Sequence, residues 1–485
     1  VTIAHELEGI VVIYLGELII NKNNYTLNSV IKYTHNIMKQ KLYISGMILG
    51  ATKKSIVILG NGISGITTAR HLRKKTDYSI TVISEEAPFF FSRTALMYVY
   101  MGHMQFEHTQ PYEADFWEKN KIQLIQKRVI QLDSENQQLL FDDKSSLSYD
   151  NLVLACGSIP NRFGWPGQDL KAVQGLYHKQ DLDNLEKWSD SIHEATVIGG
   201  GLIGIELVEM LHSRGKKVHF LIRESSFWNT VLPPEESELV NQHIRAHGID
   251  LLLLSELKSI KGDTDGRVCA VKTKDGKELP SEFVGLTVGV SPNVAFLKES
   301  GLAIGKGILV NRFLETNLPN IYAIGDCAEQ QEPLPGRSAI ESVWYTGRMM
   351  GETLAQTLAG KKTAYQPGPW FNSAKFFDIE YQTYGQISPS PDKKKENQIY
   401  WQHPNKNCAI RLSFDPNSMK ILGGLSLGIR MRHATFDQWL TQNYQIEEVI
   451  KNLDAAFFDQ EFSLNYLKEF QNEWELKKSE FAFRL

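Results

Sequence analysis

Gly60-Asn61-Gly62-Ile63-Ser64-Gly65 follows the buried-strand run "SIVIL" and opens a helix-forming segment. Nothing else constrains the fold of this chain as strongly. Gly60 permits a tight turn, Gly62 lets backbone approach a pyrophosphate, and Gly65 lets helix pack on strand, with the helix N-terminus facing the phosphates. Twenty residues beyond Gly65, after the strand "SITVIS", stands Glu85, the carboxylate expected to accept both hydroxyls of an adenosine ribose, with Glu86 as the alternative one position on. About 140 residues later the arrangement recurs in "ATVIGGGLIGIELVEML", where Gly199-Gly200-Gly201-Leu202-Ile203-Gly204 again joins strand to helix. A βαβ unit is therefore repeated. Its second strand ends in "HFLIRES", which offers Ile222, Arg223 and Glu224. An acid there favours NADH through the ribose diol and an arginine favours the 2′-phosphate of NADPH, so the choice stays open.

A chain of 485 residues exceeds what one core organises, and two or three domains are expected. Short alternating segments, "KIQLIQKRVIQLD" and "QQLLFDD", read as an antiparallel insertion between the two units, and "YDNLVLACG" returns to the first sheet. "PNIYAIGDCAE" reads as another strand of that sheet, so the second domain is inserted in the first. The expected architecture is α/β: two Rossmann-like, three-layer dinucleotide-binding domains, one inserted in the other, followed by a C-terminal α+β domain. The expected boundaries are a dispensable N-terminal extension over 1–52, one domain over 53–168 and 290–368, the inserted domain over 169–289, and the α+β domain over 369–485. In that last domain, Asp378 and Glu380 are expected on a solvated strand face.

A net charge of −4, with no long basic run, gives no footprint for nucleic acid or an anionic membrane. The run "GIVVIYLGELII" is too short to span a bilayer and contains Glu17. Four scattered cysteines, Cys156, Cys269, Cys327 and Cys408, have neither disulfide-framework nor metal spacing, which predicts a reducing, cytoplasmic setting and no metal site.

GNGISG with Glu85, GGGLIGIE and "TNLPNIYAIGDCAE", in that order, resemble the pyridine nucleotide-disulfide oxidoreductase superfamily over roughly Ser55 to Gly360. The resemblance implies two glutathione-reductase-type domains, with FAD in the first and NAD(P)H in the second. For FAD it implies contacts from Gly60, Gly62, Ile63, Ser64 and Gly65, from backbone near Val129 at the adenine, and from Ala155, Cys156 and Gly157 of "LACGS", the family's ATG element with cysteine in place of threonine. It further implies Gly325 and Asp326, the acid at a ribityl hydroxyl; on composition alone Asp326 is equally an N-cap. For NAD(P)H it implies Gly199, Gly201, Leu202, Ile203 and Gly204, Arg223 or Glu224, and Gly289 in "GLTVGVSPN". Glu206 matches a residue close to nicotinamide and flavin in relatives, with a first-turn acid favoured by the helix dipole as the plain alternative.

In thiol-dependent members a cysteine stands where "FFFSRTALMY" has Arg93, and a guanidinium cannot replace a thiolate. Arginine there is similar to the branch of rubredoxin and ferredoxin reductases, nitrite reductase flavin modules and apoptosis-inducing factor, where it reaches the FAD pyrophosphate. A surface cation snorkelling past aromatics is the alternative. Tyr98 stands closest to a lysine that several of those relatives keep near the flavin. Cys156 and Cys327 read as packing residues. The resemblance implies hydride transfer from NAD(P)H to flavin and direct electron transfer to an external acceptor, with no catalytic base. The acceptor expected is a rubredoxin- or ferredoxin-type iron–sulfur protein, and the alternatives are a quinone, a nitrite-reductase-type partner, or a redox-sensing role as in apoptosis-inducing factor. Trp344 and Tyr345 in "SAIESVWYTGRMMG" are candidates for the flavin's acceptor-side wall, or plain core aromatics. The third domain occupies the place of the family's interface domain, which implies a homodimer.

Overall fold

The computed structural model describes residues 53–458, 461 and 466–482; the leader 1–52, expected to be dispensable, lies outside the described residues. The principal elements run β1 (Ser55–Leu59), α1 (Ile63–Arg73), β2 (Ser79–Ser84), β3 (Ile122–Gln126), β4 (Asn151–Leu154), β5 (Val173–Gln174), β6 (Glu194–Ile198), α2 (Leu202–Ser213), β7 (Lys217–Leu221), α3 (Pro234–Ala246), β8 (Asp250–Leu252), β9 (Phe283–Leu286), β10 (Ile321–Ala323) and α4 (Trp344–Leu358). Strands β11 (Phe371–Phe376), β12 (Ile379–Gly385), β13 (Asn397–Gln402), β14 (Ala409–Phe414) and β15 (Ile421–Leu427) follow.

Two five-stranded sheets are wholly parallel: β10-β4-β1-β2-β3 and β8-β7-β6-β9-β5. Their central strands are mostly apolar because both faces are covered. Ile56, Val57 and Ile58 of β1, like Ala195 and Val197 of β6, are sealed from solvent. Each sheet shares its core with an antiparallel three-stranded meander, formed by Val129–Asp133, Gln138–Phe141 and Ser146–Ser148 in the first and by Leu257–Gly262, Val268–Thr273 and Glu278–Pro280 in the second. Because β10 returns to the first sheet after the whole second sheet has been laid down, the second lies inside the first in chain order. A ribbon pairing Ser158–Pro160 with Val290–Pro292 carries the chain between them.

The structure corrects two sequence readings. "KIQLIQ" is not part of the antiparallel insertion: β3 pairs in parallel with β2 as the outer strand of the first sheet. An edge strand with one wet face alternates like a meander strand, and periodicity cannot separate the two. Asp378 lies in the turn between β11 and β12, where Phe377 takes a left-handed φ of 56°, and not on a strand face. Glu380 does sit in β12, paired with Arg430.

The third sheet is antiparallel, in the order β11-β12-β15-β14-β13. Helices His433–Thr441, Ile446–Lys451 and Leu467–Ala482 follow it, and residues of all three join its core. It docks on α3 through Arg411 of β14, whose guanidinium donates to Glu236 (2.7 and 2.8 Å) and Glu235 (2.7 Å). Among the described residues no helix is long and apolar enough to cross a membrane.

Glu236 is wholly buried, so losing its cation would strand a charge in the interface. Arg411→Ala is expected to destabilise the chain by about 3–5 kcal/mol, and the pair Arg411→Met with Glu236→Leu to recover most of the loss. Thermal unfolding midpoints of the three proteins check this; equal midpoints for the single and double variants would refute it.

Candidate functional site

Both glycine turns are built alike. Gly60 has φ +119°, and a Cβ on it would sit 2.0 Å from the carbonyl oxygen of Ala155 at the end of β4. Gly65 approaches the turn just as closely, with its Cβ position 2.0 Å from the Gly60 oxygen. In the second unit Gly199 (φ +115°) meets Thr287 O at 2.4 Å and Gly204 meets Gly199 O at 2.1 Å. These contacts leave Gly62 and Gly201 facing open space, and each is the N-cap of its helix with no side chain closing the end. Two uncapped helix N-termini above clear ground are what a dinucleotide pyrophosphate requires, so the residues present fit one at each turn.

Around the first turn the strand ends converge. Asn61 donates to the carbonyls of Ala87 (2.9 Å) and Phe89 (3.3 Å), tying down the loop that leads to Arg93. Glu85, just past β2, is exposed and lies 3.5 Å from Arg128, the residue before Val129. Glu86 turns the other way: its carboxylate takes both arms of Arg93 (2.9 and 2.6 Å) and the backbone N–H of Lys179 (2.8 Å). Arg93 also donates to Tyr177 O and lies over the Tyr177 ring at 4.5 Å. Burial opposes its charge, but the Glu86 pair outweighs that and holds its pKa above the ordinary value. Arg93 is thus no free surface cation. Ser158 joins Tyr177 to Asp326, since its N–H donates to Tyr177 Oη (3.1 Å) and its hydroxyl to Asp326 (3.2 Å). Burial pushes the Asp326 carboxyl up and drives the Tyr177 phenol to about 12. Asp326 sits in a 3-10 turn, Gly325–Cys327, and caps no α-helix.

Ile63 and Ser64 open α1, Leu202 and Ile203 open α2, and Gly289 leads into the crossing ribbon with its carbonyl accepting Asn161 N–H (3.0 Å). Glu206 lies in the second turn of α2 and not the first, so the helix dipole does not account for it. Its side chain is half-buried, and burial, then the charge of Glu209, push its carboxyl up to about 7. Tyr98 faces the same pair of acids, and burial and their charges raise its phenol. Strand register places the second pair of ribose candidates. Leu59 lies beside Ile83 as Ile198 lies beside Leu221, and Gly60 N–H donates to Ile83 O as Gly199 N–H does to Leu221 O. Arg223 is therefore the counterpart of Glu85, and Glu224 that of Glu86. Arg223 is exposed, with Glu224 beside it at 2.6 Å.

Trp344 and Tyr345 start α4, and Tyr345 packs on Phe371 (4.6 Å) of the third sheet. Cys156 and Cys327 face each other, and the hydrogen bond between them raises the Cys156 thiol and lowers that of Cys327. Ser158 and Tyr177 were not singled out in the sequence. Tyr177 is 84 positions from Arg93, and no local pattern links them.

A family model described as pyridine nucleotide-disulphide oxidoreductase matches residues 54–351. The chain is 30% identical over 346 residues to the NAD(P)H nitrite reductase of Bacillus subtilis (strain 168), an alignment covering 70% of this chain and 42% of that protein. The chain thus spans about two-fifths of that relative's length. It is 28% identical over 342 residues to a ferredoxin–NAD(P)(+) reductase of Sphingomonas sp., covering 69% of this chain and 81% of that one. Among solved structures, an NAD-dependent persulfide reductase from A. fulgidus superposes with a TM-score of 0.78 at 22% identity, covering 88% of this chain and 83% of that one.

Because Glu206 keeps its proton from the ordinary carboxylate range up to about 7, folding loses stability as pH rises through that window. Glu206→Gln is expected to raise the thermal midpoint at pH 8 by the equivalent of about 1–2 kcal/mol, after allowing for partial solvent access, and to gain little at pH 5. A pH-independent difference would count against this environment.

Proposed function

The chain belongs to the pyridine nucleotide-disulphide oxidoreductase family, and we propose that it is an FAD-dependent NAD(P)H oxidoreductase that delivers electrons directly from flavin to a small iron–sulfur or rubredoxin-type protein. The observation that carries this reading is Arg93. Where a family member with a redox thiol would hold its sulfur, this chain holds a guanidinium fastened to Glu86. When bound, FAD supplies the chemistry: it accepts hydride from nicotinamide and releases electrons outward. The ferredoxin–NAD(P)(+) reductase of Sphingomonas sp. supports the acceptor class.

In this reading Glu85 holds the adenosine ribose of FAD, with Val129 at the adenine. The α1 N-terminus and Arg93 hold the pyrophosphate, and Asp326 with Ser158 holds the ribityl chain. Ala155, Cys156 and Gly157 line the flavin, Tyr98 and Glu206 face the nicotinamide side, and Trp344 and Tyr345 the acceptor side. The division into 53–168 with 290–368, 169–289 and 369–485 belongs to the same proposal. Four free cysteines support a reducing, cytoplasmic setting. The α2 N-terminus receives the pyrophosphate of the nicotinamide nucleotide. Register places Arg223 where Glu85 stands in the first unit, which favours NADPH over NADH. The likeness to part of a nitrite reductase favours a second reading, in which this chain is the NAD(P)H-oxidising module of a nitrite-reducing system.

Stopped-flow reduction of the yellow protein by NADPH and NADH, followed by reoxidation with ferredoxin, rubredoxin, a quinone or an aromatic disulfide, tests the proposal. Fast reoxidation by an iron–sulfur protein is the expected result, and fast turnover of the disulfide would overturn it. Arg223→Ala should lower kcat/KM for NADPH by about tenfold or more and leave that for NADH within about twofold, the signature of a lost phosphate contact.

A further inference from the structure

The β11–β12 turn packs against both α2 and α3. Phe377 N–H donates to Glu209 of α2 (3.2 Å), and the Phe377 ring stacks on His247 at the end of α3 (4.2 Å between centroids, 18° between planes). The next residue, Asp378, points its carboxylate at two histidines one helical turn apart. Asp378 Oδ1 is 2.5 Å from His243 Nε2 and 3.9 Å from His247 Nε2, and the ligand atoms of the three residues all lie within 4.8 Å of one another.

We infer that His243, His247 and Asp378 form a binding site for a divalent transition-metal ion of the Zn²⁺ type, which pins the third domain to the NAD(P)H-binding half. The donor set, two imidazoles and one carboxylate with the carboxylate side open to solvent, suits a borderline cation with three protein ligands and a water. The His247 ring is already oriented for it. His247 Nδ1 lies 2.9 Å from the His243 carbonyl, which places its proton there and leaves the Nε2 lone pair facing the cluster. Asn407 Nδ2 donates to His243 Nδ1 (3.0 Å), so His243 carries its proton on Nε2 and releases it when a cation binds there. His243 Nε2 is buried beside Asp378 Oδ1, a close contact that a bound cation would open.

The site is invisible to spacing rules because the third ligand is 131 positions beyond His247. It stands independently of the flavin reading. The test is equilibrium dialysis of the full, FAD-loaded protein against micromolar Zn²⁺, with metal content by mass spectrometry and thermal midpoints with and without Zn²⁺ or Mg²⁺. About one equivalent of Zn²⁺ is expected, with a raised midpoint that Mg²⁺ does not give. Asp378→Asn and His247→Gln should each weaken binding by about tenfold or more and abolish the midpoint rise, while Cys269→Ser, which removes the exposed thiol, should change neither. Asp378 is 77% exposed, so its variant folds, and retained flavin colour verifies that. No bound Zn²⁺ in the parent protein, or equal binding in both ligand variants, would overturn the site.

Discussion

The structure hangs on backbone touching backbone at a point where a side chain cannot exist. At Gly60 the Ala155 carbonyl occupies the space a Cβ would take, and at Gly199 the Thr287 carbonyl does so. A single methyl group at either place would force apart two strand ends that hydrogen-bond through the sheet beside it, a cost far above the loss of one ordinary contact. The close approach brings the end of β1 and the end of β4 to one line and starts α1 directly above it, with its unpaired N–H groups over open ground. The cleft follows from that geometry, and the side chains refine what it receives.

What the sequence made legible is what is local. The strand, the three glycines, the helix and the trailing acid of the first unit lie within about thirty residues, and each reports its own backbone requirement. The β11–β12 turn shows the limit. "NSAKFFDIEYQTYG" alternates without a glycine, proline or asparagine near its middle, so it reads as one strand; the structure folds it back at Phe377 in a left-handed conformation usually unfavourable for an aromatic residue. Stacking on His247 and the hydrogen bond to Glu209 hold it there, and both partners come from another part of the chain. Local chemistry could not have reported a turn that tertiary contacts impose.

The ribose positions show a subtler limit. Counting residues from the last glycine aligns Glu224 with Glu85, whereas the strand ladders align Arg223 with it. The two disagree because nineteen positions separate Gly60 from the start of β2, but only eighteen separate Gly199 from the start of β7. The second unit has a helix one residue longer and a following turn two residues shorter, and turn length varies at little cost. Hydrogen-bond register is blind to that turn, so it is the better ruler for which side chain meets the ribose.

Arg93 and Glu86 raise the question of how an arginine already committed to a carboxylate could serve an anion. Its guanidinium has five N–H donors. Two go to Glu86 and one to Tyr177 O, all from Nη1 and Nη2, which leaves Nε–H and one Nη2–H for a further acceptor. Glu86 cancels most of the charge, so the pair attracts a pyrophosphate weakly from a distance. What it offers at contact is two donors on a planar fork held rigid by Tyr177 and Glu86, with little entropy left to lose. On the proposed reading, attraction over distance falls to the α1 N-terminus and Arg93 contributes position. A lysine there would keep the charge and lose the fork, which is why the geometry calls for arginine.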